Sequence, residues 1–252
     1  MVERRSVQVT GVGLFCPAGI GAEGLGDSPG GSVPEFKARN YVADRKSLKL
    51  MTSAVQLGVS AIQMALDDDG DWESVPPDRR GIFVGASPQT GDPDDLRPAL
   101  DASVGPSGFE MTRFAKDGYP LIHPLWLVRG LSNNIIGFAA AIHDLQGVNS
   151  NYCDGVLGGW TALREGALAV AEGRADLVVA GGSDSWAGAE QILKGFPCGD
   201  GAGFVVMRPG DPDVFPRLDS CFGDEPFDDL GFLGAATGPV NFCRQLLASR
   251  LI

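Results

Sequence analysis

Histidine is nearly absent from this chain, with two in 252 residues, His123 and His143. Any chemistry that needs several imidazoles is confined to those two positions. No Cys-x-x-Cys pair accompanies them, so the sequence offers no structural zinc site. The five cysteines (16, 153, 198, 221 and 243) are odd in number and have no paired spacing. They are expected to be reduced thiols in a cytoplasmic setting. Basic runs are missing too: 32 acidic residues against 20 basic ones leave a net charge of −12, which argues against nucleic acid or an anionic membrane as partner. No apolar run approaches the roughly 20 residues that span a bilayer. The opening MVERRSVQV has two arginines but no apolar core, so it does not read as a signal peptide.

Two short motifs also lack what they would need. Gly11-Val12-Gly13 could open a dinucleotide fingerprint, but Cys16 stands where the third glycine belongs. It reads as a glycine turn after a first strand, Ser6 to Thr10. Asp67-Asp68-Asp69-Gly70 lacks the alternating ligands and distant glutamate of a calcium loop, and reads as a solvated helix end. No metal and no cofactor are implied.

What is present is α/β patterning long enough for a full core. Its centre is Gly147 to Ser185. Val148 to Cys153 can extend, and Asp154-Gly155 is turn chemistry. Gly158 to Glu172 has helical periodicity, with Gly173 placed to end the helix. Asp176 to Ala180 is a short apolar strand followed by Gly181-Gly182. Upstream, Met51 to Leu66 is an amphipathic helix and Gly81 to Ala86 a buried strand. Residues 87–108 read as loop, Phe109 to Lys116 as a short helix, and His123 to Ile142 as a second apolar element, helical from Ser132 onward. Phe204 to Met207 is a late strand.

The central stretch resembles the β-ketoacyl synthase family, which has the thiolase fold. The landmarks are Gly173-Arg174-Ala175-Asp176, Ala180-Gly181-Gly182 and Gly195-Phe196-Pro197-Cys198-Gly199-Asp200-Gly201-Ala202-Gly203. The resemblance implies a layered αβα architecture in one domain, residues 1–252. The first half is complete, and residues 208–252 are a remnant of the second. Counting from Gly147 forward and from Gly173 back puts the family's nucleophilic cysteine at Val156. Gly231-Phe232-Leu233-Gly234-Ala235-Ala236-Thr237-Gly238 resembles the family's late Gly-His segment, with Phe232 in the histidine's place. Gly158-Gly159-Trp160-Thr161-Ala162-Leu163 resembles the same stretch of chain length factors, the ketosynthase-like partners that have lost the cysteine.

Decarboxylative condensation requires a thiolate to carry the acyl chain and imidazoles to stabilise the enolate and oxyanion. Val156 and Phe232 supply neither. The resemblance therefore implies a non-catalytic chain length factor of a type II polyketide system, by its brevity of the polyene-forming kind. Its partner would be an active ketosynthase, with an acyl carrier protein engaged indirectly through the complex. The strand Val148-Asn149-Ser150-Asn151-Tyr152-Cys153 would pair across the dimer, and Phe109, Phe114, Trp126, Leu131 and Asn133 would wall the acyl tunnel. Read from periodicity alone, Trp126, Leu131 and Ile135 are equally ordinary core. A chain with so little second half is expected to expose apolar surface when alone, which a partner would cover. The alternative is a compact active acyltransferase or condensing enzyme using Cys153. Against it, a thiol inside an apolar strand is expected to be buried and inert. His143 reads as structural or surface.

Overall fold

The computed structural model describes residues 4–28, 30–88, 93–191, 193–221 and 229–250. In chain order the elements are β1 (Val7–Cys16), β2 (Gly19–Ile20), α1 (Arg45–Leu48), α2 (Ser53–Asp69), β3 (Arg80–Gly85) and α3 (Arg97–Ala102). They continue with β4 (Val104–Gly105), β5 (Gly108–Phe109), α4 (Met111–Arg113), α5 (Trp126–Arg129), α6 (Asn134–His143) and β6 (Asn149–Tyr152). The last are α7 (Leu157–Ala171), β7 (Leu177–Ser185), β8 (Asp200–Pro209), α8 (Phe215–Cys221) and α9 (Thr237–Arg250). A mixed sheet runs in the order β2-β1-β8-β7-β3-β6. Strands β6, β3 and β7 are parallel, while β8 is antiparallel to both β7 and β1.

The sheet is covered on both faces, and its strands read as apolar runs for that reason. Phe83, Val178, Ala180, Val205 and Met207 point into a core shared with α7, α8 and α9. Ile82, Val84, Leu177, Val179, Phe204 and Val206 point the other way, into a core shared with α2 and α6. The expected layered αβα arrangement is present, with the Met51–Leu66 helix observed as α2 and the Gly158–Glu172 helix as α7.

The glycines after the first strand do not make a turn. β1 continues through Gly11 and Gly13, with a register shift against β8 between Val9 and Gly11, and α2 lies directly on the two glycines. A Cβ on Gly11 would fall 2.0 Å from the Ala65 carbonyl oxygen, and one on Gly13 would fall 2.0 Å from that of Ala61. Close approach of a helix, not a ligand, accounts for the Gly-x-Gly. The end of α2 is not merely solvated either. The Asp69 carboxylate is buried and pairs with Arg208 at 2.6 Å, and it also accepts from Thr10 Oγ1. Asp68 accepts from Val12 N–H (2.8 Å) and pairs with Arg250 (2.6 Å). The acidic run fastens α2 to β1, β8 and α9.

The apolar exposure expected of the lone chain is present and concentrated in one region. The outer side of the α7–α9 layer carries Arg164, Glu165, Asn241, Gln245 and Ser249, and α8 lies across it. Arg164 pairs with Asp219 (3.4 Å), and Arg217 Nη1 donates to Ser249 Oγ (3.3 Å). The large exposed apolar side chains gather instead on an arm between β3 and β6, among them Leu100, Met111, Tyr119, Leu121, Leu127 and Val128. That arm includes α3, within the stretch 87–108 expected to be loop, and the β4–β5 hairpin, which ends at Phe109, expected to open a helix.

Candidate functional site

Parallel strands end together. β3, β6 and β7 therefore finish at one end of the sheet, and β8 starts there with Asp200 opposite Ser185. In open α/β sheets this is the end where ligands bind.

Val156 caps α7 at this end in ordinary right-handed helical conformation (φ −63°, ψ −24°), half-buried, just after Gly155 with φ +52°. Phe232 arrives at the same end. Its N–H donates to Pro197 O (2.9 Å), and its carbonyl accepts from Gly199 N–H (3.0 Å). Its ring meets Trp186 edge-on at 5.0 Å. The 3-10 turn Gly234–Ala236 follows and packs backbone to backbone. A Cβ on Gly159, in the first turn of α7, would fall 2.2 Å from Ala235 O, and one on Gly182 of β7 would fall 2.5 Å from it. Val156 and Phe232 thus stand three residues to either side of one contact, Gly159–Ala235.

Beneath them lies a group that sequence reasoning missed. The Asp184 carboxylate is buried at the end of β7. It accepts from Ser87 Oγ (2.6 Å), Ser185 N–H (3.1 Å) and Ala235 N–H (3.1 Å). Burial pushes its pKa up, and these donors pull part of the way back. The legible signal was a lone acid closing an otherwise apolar strand. Asp184 joins the ends of β3 and β7 to the turn that follows Phe232. Asp200 does the same locally, accepting from Ser185 Oγ (2.8 Å) and Ala187 N–H (3.1 Å).

The other chemistry-bearing residues fall into place around this. Cys153 lies one residue beyond β6 and is exposed, so the expectation of a buried thiol is overturned. Its sulfur accepts from Asn151 Nδ2 at 3.2 Å. Cys198 is buried, its thiol donates to Trp186 O (2.8 Å), and burial raises its pKa. His143 is at the opposite end of the sheet, against Trp72, with its carbonyl accepting from Arg80 Nη1 at the start of β3 (3.4 Å). Burial lowers its pKa to about 4, with Asp67 pulling upward. Its role is structural. His123 is exposed on the arm, and its Nδ1 accepts from Leu125 N–H (3.1 Å).

β6 is an edge strand. Ile82 N–H donates to Val148 O and Ala86 N–H to Tyr152 O, each at 3.0 Å. The alternation of a parallel ladder then turns the backbone of Val148, Ser150 and Tyr152 toward β3. The N–H and C=O of Asn149 and Asn151 face the open edge. The five expected tunnel residues all lie between β3 and β6. Phe109, Leu131 and Asn133 are exposed, while Phe114 and Trp126 are half-buried. Phe109 and Phe114 touch at 5.9 Å. Leu131 is therefore not core, whereas Ile135 is. The arm adjoins the open edge through Ser132, whose Oγ accepts from Asn151 Nδ2 (3.2 Å).

The backbone superposes on a chain of the complex between a type II polyketide synthase acyl-carrier protein and its hexaketide-bound ketosynthase, AntDE:AntF. The TM-score is 0.67 at 18% identity, over 82% of this chain and 63% of that one. The ishigamide ketosynthase/chain length factor gives 0.66 at 20% identity, over 85% and 60%. A β-ketoacyl synthase from Burkholderia phymatum gives 0.64 at 18%, over 82% and 59%. The fold is that of the ketosynthases. No protein-family model matches the chain. It spans about three fifths of the length of these ketosynthase-fold structures. The chain has five cysteines. The residue that caps the start of α7 is Val156.

Proposed function

We propose that this chain is a non-catalytic ketosynthase-fold subunit, a chain length factor that pairs with an active ketosynthase and shapes its acyl tunnel in type II polyketide biosynthesis of the polyene kind. One observation carries the reading: the helix cap at the ligand-binding end of the sheet is Val156. An isopropyl group cannot accept an acyl chain, and the Phe232 ring cannot donate a hydrogen bond to an oxyanion. The fold's likeness to ketosynthase/chain length factor structures supports the choice of partner. So do the open edge of β6 and the apolar arm next to it, which together resemble a surface made to be covered. In this reading the chain is one domain whose residues 208–252 stand for a reduced second half. The acyl carrier protein docks on the ketosynthase, and the complex works in the cytoplasm.

The second reading, an acyltransferase using Cys153, gains from the exposure of that thiol. The hydrogen-bond partner seen for its sulfur is the Asn151 amide, not an imidazole. One experiment separates the two. The purified chain, with and without its ketosynthase, is incubated with acyl and malonyl carrier thioesters and followed by intact mass. The proposal expects no acylation of this chain and no decarboxylation without the ketosynthase. Stable acylation of Cys153, abolished by Cys153→Ser, would establish the enzyme instead.

A further inference from the structure

We propose that the outer face of α9 carries a second site, an open cavity that binds a small neutral molecule through a secondary amide. The site is independent of the pairing with a ketosynthase and of the sheet end at Val156.

The cavity measures about 390 Å³, within the range of small-molecule sites, and is lined by Leu25, Cys221, Asn241, Arg244, Gln245 and Ala248. The four α9 positions are spaced i, i+3, i+4 and i+7, so they form one stripe along the helix. The opposite face, with Val240, Phe242, Cys243 and Leu246, is in the core. Charge on the cavity wall is balanced. Arg244 grips Asp229 with both terminal nitrogens, Nη1 to Oδ1 at 3.0 Å and Nη2 to Oδ2 at 3.2 Å. Nη2 also donates to Gly26 O (3.0 Å). The guanidinium therefore braces the segment around Leu25 against α9, and its charge is already matched.

The two carboxamides supply the recognition. Cys221 Sγ donates to Gln245 Oε1 (2.7 Å), which leaves the Gln245 amide nitrogen to donate. Asn241 is half-buried, and its side chain has no hydrogen-bond partner among the described residues. It keeps both a donor and an acceptor, one helical turn from Gln245. Donor beside donor–acceptor matches a secondary amide: the ligand oxygen accepts from the side-chain nitrogens, and the ligand N–H donates to Asn241 Oδ1. Leu25 and Ala248 offer apolar surface to the attached hydrocarbon. A charged ligand would give up hydration with no unmatched counter-charge to receive it.

Cys221 is a built-in reporter, since a molecule in the cavity shields its thiol. The full chain is alkylated with iodoacetamide, with exposed Cys153 as the internal reference and peptide mass giving the rate at each site. The probe is N-acetyl-leucine methylamide, which is neutral and carries two secondary amides. At ordinary ligand efficiency a molecule of this size has a Kd of about 1 mM. At a concentration of about 10 mM it should therefore slow alkylation of Cys221 about tenfold and leave Cys153 unchanged. Two controls define the chemistry. The doubly N-methylated analogue keeps both carbonyls and loses both N–H donors, and 4-methylpentanoate carries a carboxylate and no amide. Each should change the Cys221 rate by less than about twofold. Asn241→Leu and Gln245→Leu lie outside both cores and should each abolish protection by the probe. Absence of protection in the unaltered chain would overturn the site without recourse to any variant. Equal protection by either control would overturn the amide recognition, and protection that persists in a folded Asn241→Leu or Gln245→Leu chain would do the same.

Discussion

Two adjacent prolines should separate the fold from the interface. Asn149 and Ser150 are neighbours on β6, yet their amides face opposite ways: that of Ser150 is directed at β3 and that of Asn149 at the open edge. Proline removes the donor at either position. A pairing test aimed at Ser150, the natural choice when the strand is read from sequence alone, would therefore strike the wrong bond. At Asn149 the lone chain loses nothing within its sheet, since edge strands tolerate proline where the N–H faces outward. If the ketosynthase adds a strand there, Asn149→Pro removes one inter-chain hydrogen bond and strands a carbonyl on the partner. That costs about 1–3 kcal/mol, or roughly five- to a hundred-and-fifty-fold in Kd. At Ser150 the lost bond lies inside the sheet and leaves a β3 carbonyl unpaired, costing about 1–3 kcal/mol of folding stability. For a chain of this size the melting temperature should then fall by roughly 2–12 °C. The assay is a thermal melt of each lone variant together with a binding titration against the ketosynthase. The expected pattern is Asn149→Pro with an unchanged melt and weakened binding, and Ser150→Pro with a lowered melt. If Asn149→Pro binds like the parent chain, the β6 edge is not the pairing surface.

Two further predictions concern His143 and the arm. The His143 pKa is lowered from 6.5 to about 4 by burial. The unfolded chain therefore binds a proton between those values that the folded chain refuses. The contribution is fully present above pH 6.5 and is lost as pH falls toward 4, amounting to about 3 kcal/mol. Urea midpoints across this window should fall with acidity in the parent chain and do so less steeply in His143→Phe; parallel slopes would refute the assignment. On the arm, Phe114→Ala and Trp126→Ala should lengthen the polyketide made by the complex if those side chains set the tunnel floor. Phe109→Ala should cost well under the roughly 3–5 kcal/mol of a buried phenylalanine, because Phe109 is 53% exposed in the lone chain. Unchanged product masses from every variant that still forms the complex would remove the tunnel role from this arm.

The central β–α–β stretch was legible because its apolar periods switch cleanly from two to 3.6 and glycines mark its turns. The same glycine signal misled at Gly11 and Gly13, where it reports a helix lying on a strand and not a bend. Local patterns cannot distinguish the two, since both demand only the absence of a Cβ. Cys153 was misjudged by a single residue of strand length, enough to move a thiol from inside the sheet to the surface. Asp68 and Asp69 looked like solvated acids because their partners, Arg250 and Arg208, lie far away in sequence. Asp184 was overlooked for a similar reason: Ser87 and Ala235 come to it from 97 and 51 residues away. The arm's exposed leucines and aromatics are invisible to composition, which reports how much apolar surface exists and not which part remains uncovered.

The two margins of the sheet are finished differently. At one, β2 is a two-residue strand folded back on β1, too short to template another chain. At the other, β6 is bare. A body with one blunted margin and one receptive margin can add a neighbour on a single side. If the proposed ketosynthase pairs with β6, this chain has spent its receptive margin and keeps none among its described strands to recruit a third body. The proposed pairing would then supply its own stop signal, since the strand able to seed a fibre is the one the partner covers.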